Sequence, residues 1–192
     1  MAVQGWIVAG AFVALIGVVL ARVRMLRRRG IHAFLFGATH KSDAILVPCI
    51  LIIVYALVAP GFGGPMWQPL VAPYWQTPIP GWVGVACCLT AVAGLIWTLK
   101  SFGDSFRVGI DDQAPADLVT TGAFAVSRNP IYVCFALFLT GLFLVQHNIV
   151  TTLVLVAFAL VAHRQVLREE RFLAGHYGEQ FAAYRARVRR YV

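Results

Sequence analysis

Charge is scarce in this sequence. Only 12% of its 192 residues are Asp, Glu, Lys or Arg, about half the roughly 25% usual for a soluble domain. Acid is scarcer still, with 8 Asp and Glu against 16 Lys and Arg. So few charges cannot cover a chain that is 60% hydrophobic with a mean hydropathy of +0.77. An ordinary cytosolic enzyme is excluded, and so is a disordered chain, which needs low hydrophobicity and high net charge. Paired cysteines are lacking. Cys49, Cys87, Cys88 and Cys134 lie inside apolar runs without CxxC spacing, which argues against a zinc site or a disulfide framework and for use as small hydrophobes. His32, His40, His147 and His163 lack metal-ligand spacing, and His176 reads as a loop residue between Gly175 and Gly178, so no metal is expected. There is no serine nucleophile elbow. Gly61-Phe-Gly63-Gly64 has neither the preceding strand nor the following helix that dinucleotide binding requires. No basic segment precedes the first apolar stretch, so no cleavable signal peptide is expected.

Long apolar runs are what the chain does have: residues 3–21, 44–59, 81–99 and 131–162. A spanning helix needs about 20 residues, so the last run is too long for one simple span. It is broken only at Gln146-His147-Asn148. The basic residues decide how to read it. Arg22, Arg24, Arg27, Arg28, Arg29 and Lys41 follow the first run; Lys100, Arg107 and Arg128 lie between the third and fourth; seven arginines from Arg164 to Arg190 fill the tail. With a hairpin at 146–148 there are five spans and every basic residue falls on one side, the cytoplasmic one by the positive-inside rule. A single long helix would put the tail arginines on the wrong side. The expectation is an all-α integral membrane protein with five transmembrane helices, the last two a tight hairpin. Its N-terminus is outside, and its C-terminus is cytoplasmic. The net charge of +8 then serves anionic membrane lipids, and nucleic acid is not needed as a partner.

The uncharged loop at 60–80, with Trp67, Tyr74 and Trp75 and with Trp82 just beyond, suits the outer interface; a binding role stays open. The acids gather on the inner side. Asp104, Asp111, Asp112 and Asp117 lie in 100–129, and Glu169, Glu170 and Glu179 in the tail, leaving only Asp43 elsewhere. Residues 1–99 therefore read as a three-span membrane region, and 100–192 as the region that carries any chemistry.

Three clusters stand out there. Ser127-Arg-Asn-Pro130-Ile-Tyr132 opens the fourth span, with Pro130 suited to a first helical turn and Asn129 to an N-cap. It is either an ordinary helix start with a snorkelling Arg128 or a helix N-terminus that binds an anionic group. In His163-Arg-Gln-Val-Leu-Arg168-Glu-Glu170, Gln165 and Glu169 share a helix face, as do Arg164 and Arg168. This is a solvated exit helix, or one in which Glu169 faces inward to a cation. Phe181, Tyr184, Val188 and Tyr191 form an apolar stripe beside a basic face, the pattern of a cytoplasmic amphipathic helix at the interface.

Taken in order, Leu118-Val-Thr-Thr-Gly122-Ala-Phe124, Arg128-Asn-Pro-Ile-Tyr132, Glu169-Glu170 with Leu173, and residues 177–184 resemble the isoprenylcysteine carboxyl methyltransferase and phospholipid methyltransferase superfamily of membrane enzymes. The upstream Ser105-Phe-Arg-Val-Gly-Ile-Asp111 is similar to its bacterial members. The likeness covers about residues 100–190 and implies S-adenosylmethionine as cofactor at the cytoplasmic side. It assigns Asp111, Asp117, Leu118, Val119, Phe124, Asn129, Pro130, Tyr132 and Glu169 to cofactor binding. Arg128, Arg164, Arg168 and Glu170 become the candidate catalytic residues, and Gln165 a substrate contact. Two positions depart from the pattern. Asn129 stands where histidine is usual, and Gln165 where the eukaryotic prenylcysteine enzymes have an arginine that engages the substrate carboxylate. Either a neighbouring arginine takes that part or the acceptor is not a prenylcysteine carboxylate.

The expected activity is methyl transfer to a lipophilic or lipidated acceptor that enters from the bilayer. A carboxylate acceptor needs only orientation, by Arg164 or Arg168; a lipid amine also needs a proton acceptor, for which Glu170 or Asp111 would serve. The rivals are a non-catalytic membrane protein that binds anionic lipid or a partner through its basic face, and a reductase resembling the NADPH-dependent sterol reductases.

Overall fold

The computed structural model describes residues 2–28, 55, 68–103 and 118–192. Among these the chain is all-α: α1 (Ala2–Arg28), α2 (Gln68–Val71), α3 (Ile79–Phe102), a 3-10 turn (Gly122–Ala125), α4 (Pro130–Val145), α5 (Ile149–Tyr177) and α6 (Glu179–Arg187). Three helices, α1, α3 and α5, are long and apolar enough to cross a membrane; α4 is a shorter apolar helix. At 16 residues it reaches about 24 Å. The expected second span at 44–59 lies, apart from Tyr55, outside the described residues, as do Asp111 and Asp117.

The long apolar run does break at Gln146–Asn148. The Asn148 side chain accepts the Thr151 N–H at 3.0 Å while Thr151 Oγ1 accepts the Asn148 N–H at 3.3 Å, a reciprocal cap that stops α4 and starts α5 three residues later. α5 then continues for 29 residues, about 43 Å, against a hydrocarbon core of about 30 Å. Its apolar part ends at Ala162, and the polar stretch from His163 projects beyond it as the same rigid helix.

α3 and α4 form the most tightly packed pair. They run antiparallel and touch backbone to backbone at two glycines: a Cβ added to Gly84 would lie 2.5 Å from the Gly141 carbonyl, and one on Gly141 2.5 Å from the Gly84 carbonyl. Lipid tails are as apolar as leucine, so close packing of small residues is what holds such helices together. Cys88, Leu95, Phe138 and Leu142 fill the seam, with Val8 and Leu15 of α1 closing it. Cys88 and Cys134 are buried there, as small hydrophobes should be. α1 lies parallel to α3. At one end Gln4 donates to the Pro78 carbonyl at 3.1 Å; at the other, the Arg22 guanidinium donates to the Gly103 carbonyl, where a cation suits the helix C-terminus.

Two expectations change. Tyr74 and Trp75 do not simply face lipid. The Tyr74 N–H donates to His147 Oand Nδ1 at 2.9 and 3.0 Å, and Trp75 stacks on the His147 ring with centroids 4.0 Å apart. The loop thus seals the α4–α5 turn and buries His147. The C-terminal stripe is also not an interfacial helix face. α6 ends at Arg187 and Val188 is extended, so Val188 and Tyr191 lie past the helix. Phe181 and Tyr184 are buried against Phe124 of the protein itself. Intramolecular aromatic partners outcompete lipid because the 3-10 turn presents Phe124 directly to them.

Candidate functional site

The site lies where the start of α4, the projecting part of α5 and the C-terminal strap, residues 188–192 beyond α6, meet. Its floor is set by the 3-10 turn. Gly122 adopts φ +62°, open to glycine without the Cβ penalty, and brings the Ala123 N–H to Ser101 Oγ at 3.1 Å. This puts Phe124 edge-on against Phe102, centroids 4.6 Å apart, and over Phe181 and Tyr184. Tyr184 donates its hydroxyl to the Phe124 carbonyl at 2.7 Å, and burial pushes that phenol up to about 12, so it remains a neutral donor. Phe124 is therefore a core residue with 7% exposure, a poor candidate for lining an open pocket. Leu118 and Val119 pack at the margin of the same cluster and are half-buried.

Glu169 and Glu170 are neighbours in sequence but lie about 100° apart around the helix, and they meet different partners. Glu170 is buried and doubly clamped. Its Oε1 accepts from Arg128 Nε and Nη2 at 3.0 and 2.8 Å, its Oε2 from Arg190 Nε and Nη2 at 3.0 and 2.9 Å. Burial alone would raise its pKa, but the hydrogen bonds and charges of Arg190 and Arg128 overcome that and hold it below the ordinary carboxylate value. Arg128 also spends Nη1 on the carbonyls of Val188 and Arg185, at 2.6 and 3.3 Å, and its N–H on Arg189 at 3.0 Å. It ties the strap to α4 instead of snorkelling.

Pro130 takes the first turn of α4 and Asn129 its N-cap position, but the Asn129 side chain does not cap the helix. Its Nδ2 donates to the Arg190 carbonyl at 3.0 Å and reaches Glu170 Oε1 at 3.5 Å. Ser127 does the local work, with its Oγ accepting the Asn129 N–H at 3.1 Å and donating to the Arg190 carbonyl at 3.3 Å.

Glu169 faces the hairpin seam. Its Oε1 accepts from the Tyr132 hydroxyl at 2.7 Å and from Gln165 Nε2 at 3.1 Å. Gln165 Oε1, beside it, is buried without a hydrogen-bond partner among the described residues. An orphaned buried acceptor costs free energy and marks a place where a donor belongs. Arg164 and Arg168 lie elsewhere: with Leu167 and Arg171 they line a hollow of about 350 Å³ that none of Tyr132, Gln165, Glu169 or Glu170 borders.

The structure thus gathers Arg128, Asn129, Pro130, Tyr132, Gln165, Glu169 and Glu170, and sets Phe124 in the core and Arg164 and Arg168 at the hollow on α5. Ser127, Arg190 and Tyr184 were not expected at the site. The available signal for Arg190 was the need of two acids near the bilayer for cationic partners, but a pairing across 20 residues has no local pattern. Among the described residues no group of His, Cys, Asp and Glu could hold a metal.

Comparison with known proteins now bears on this geometry. The "Cobalt-zinc-cadmium resistance protein CzcN" of Cupriavidus metallidurans is 29% identical over 139 residues, covering 72% of this chain and 58% of that protein; the chain therefore spans well under two-thirds of that relative. No solved structure matches. The family model described as "Phospholipid methyltransferase" matches residues 79–180, just over half the chain. That stretch holds α3, the 3-10 turn, both hairpin helices and the Tyr132–Glu169–Gln165 constellation, and it places the chain in the phospholipid methyltransferase family.

Proposed function

We infer that the protein is an S-adenosylmethionine-dependent membrane methyltransferase whose acceptor is a lipophilic carboxylate, such as an isoprenylcysteine, reaching the site from the bilayer. The observation that carries this is the paired acceptor formed by Glu169 and the orphaned Gln165 Oε1, within the family-matched region. The residues present fit the cofactor: a carboxylate held by Tyr132 and an amide oxygen beside it suit an ammonium group. Bound S-adenosylmethionine supplies a methyl group on a cationic sulfonium. Around it, Tyr132 and Gln165 fix the Glu169 carboxylate, and the Glu170 clamp fixes the relation of α4, α5 and the strap, so that positioning and water exclusion do most of the work.

What Glu170 lacks supports the carboxylate as acceptor, with Asp111, the other candidate base, outside the described residues. A lipid amine requires a base, and Glu170 has both oxygens committed to guanidiniums and a lowered proton affinity. A carboxylate requires none. Arg168, half-buried and next to Glu169 in sequence, is assigned to its orientation; Arg164, one turn earlier on the same face, is exposed. The four apolar helices among the described residues support an integral membrane protein; five spans and a cytoplasmic site are the reading taken from the placement of the basic residues along the sequence.

Two measurements test this. Transfer of labelled methyl from S-adenosylmethionine to prenylcysteine analogues is expected, with phospholipid amines inactive; the reverse preference would refute the acceptor class. Calorimetry should show S-adenosylmethionine binding weakened about tenfold or more in Glu169→Ala, in line with loss of a charged hydrogen bond. Unchanged binding would refute the site.

A further inference from the structure

One face of α5 plays no part in the site. Ile149, Leu153, Val156, Leu160, Arg164, Leu167 and Arg171 follow one another at intervals of three or four residues, so they form a single stripe along the helix. Its apolar part is open: Leu153, Val156 and Leu160 are 62%, 51% and 60% exposed. Where the apolar part ends, the stripe turns basic. Arg164, Arg168 and Arg171 surround Leu167 and line the hollow of about 350 Å³. Arg164 and Arg171 are exposed and make no ion pair among the described residues; Arg171 Nε is engaged only by the Leu167 carbonyl of its own helix, at 3.2 Å. The acids of this helix do not answer them, because Glu169 is turned to Tyr132 and Glu170 is consumed by Arg128 and Arg190.

We propose that this stripe is a binding site for an anionic phospholipid of the inner leaflet, with one acyl chain along Leu153–Val156–Leu160 and the phosphate held between Arg164 and Arg171. The order of the two halves is what selects the ligand. The apolar residues occupy the bilayer-spanning part of α5, and Arg164, Arg168 and Arg171 follow at about 22 to 33 Å from Ile149 by helical rise, which brackets the inner edge of a hydrocarbon core of about 30 Å. A phosphodiester accepts from guanidinium forks, and a zwitterionic headgroup would bring its own ammonium into the same basic hollow. Arg164 and Arg171, which hold the phosphate, have no part in the site assigned to methyl transfer, so the proposal does not depend on that reading; Arg168 alone borders both.

The test uses the full chain in detergent micelles, titrated with dioleoyl phosphatidylglycerol or dioleoyl phosphatidylcholine, with retained lipid counted by native mass spectrometry. Phosphatidylglycerol should bind more tightly than phosphatidylcholine. In Arg164→Gln/Arg171→Gln its affinity should fall about 30-fold, about fivefold for each basic residue removed at a membrane surface. Arg164→Lys/Arg171→Lys should retain most of the affinity, and Arg185→Gln/Arg187→Gln, in the exposed tail, should leave it unchanged. Helical content measured by circular dichroism confirms that each variant is folded. Equal affinity for the two lipids, an unchanged Gln variant, or an equal loss in the tail variant would overturn the proposal. Displacement of the lipid by millimolar inorganic phosphate would also overturn it, since that would make the site one for free phosphate.

Discussion

Adjacent acids divide two tasks at the site. Glu169 offers its carboxylate to the seam, while Glu170 is buried between Arg128 and Arg190. Removing one member of a buried charge pair strands the other and costs about 3–5 kcal/mol. Glu170→Gln should therefore lower stability by about 3 kcal/mol, toward the low end because the Arg190 side chain is 36% exposed and better screened. Thermal unfolding in detergent measures it. Because the folded pKa of Glu170 is lowered, its contribution is complete above the ordinary carboxylate value near 4.5 and is lost as pH falls through the folded value. The wild-type midpoint should drop on acidification below that range, and the Gln variant should drop less. Both acids and Arg128 were legible in the sequence as members of suspicious clusters. The clamp itself was not, because Arg190 reads as one more tail arginine until the strap folds back over Ser127 and Asn129.

At the level of elements, the hairpin was legible because charge placement demanded a turn at the polar Gln146-His147-Asn148. The α3–α4 contact was not. Both helices are apolar on all sides, so no periodic stripe marks the packed face, and among 17 glycines nothing in the sequence singles out Gly84 and Gly141. What distinguishes them is backbone proximity. Gly141→Val would force its side chain into the Gly84 carbonyl and the Cys88 backbone, an overpacking cost of about 1–3 kcal/mol read as a lower unfolding midpoint. Gly10→Val on α1, where an added Cβ meets nothing within 4 Å, should leave the midpoint nearly unchanged. Equal effects at both positions would mean that the glycine contact does not hold the helices together. The C-terminal stripe shows the opposite limit of sequence reading. Its spacing was right, but an apolar stripe does not say whether lipid or Phe124 will cover it.

In the whole molecule, α1 and α3 are parallel. Gln4 meets Pro78 at one end and Arg22 meets Gly103 at the other. Parallel α1 and α3 fit both readings of the chain, four spans or five; the break between Val145 and Ile149 is what favours five. The ends are chemically unlike. Arg22, Lys100, Arg128 and Arg190 collect at the end that holds the site, whereas Tyr74, Trp75 and His147 form an uncharged cap at the other. The positive-inside rule then predicts that the capped end lies outside. Exposed positions at the two ends allow this to be measured with a membrane-impermeant maleimide: Gln76→Cys beside the cap and Val192→Cys at the C-terminus. Gln76→Cys should label in right-side-out vesicles and Val192→Cys only in inverted ones, each above the background of the native cysteines. Labelling of both from the same side would rule out a chain that crosses between them an odd number of times. Exchange of the two sides would place the site, with Glu169 and the arginine face of α5, at the outer surface.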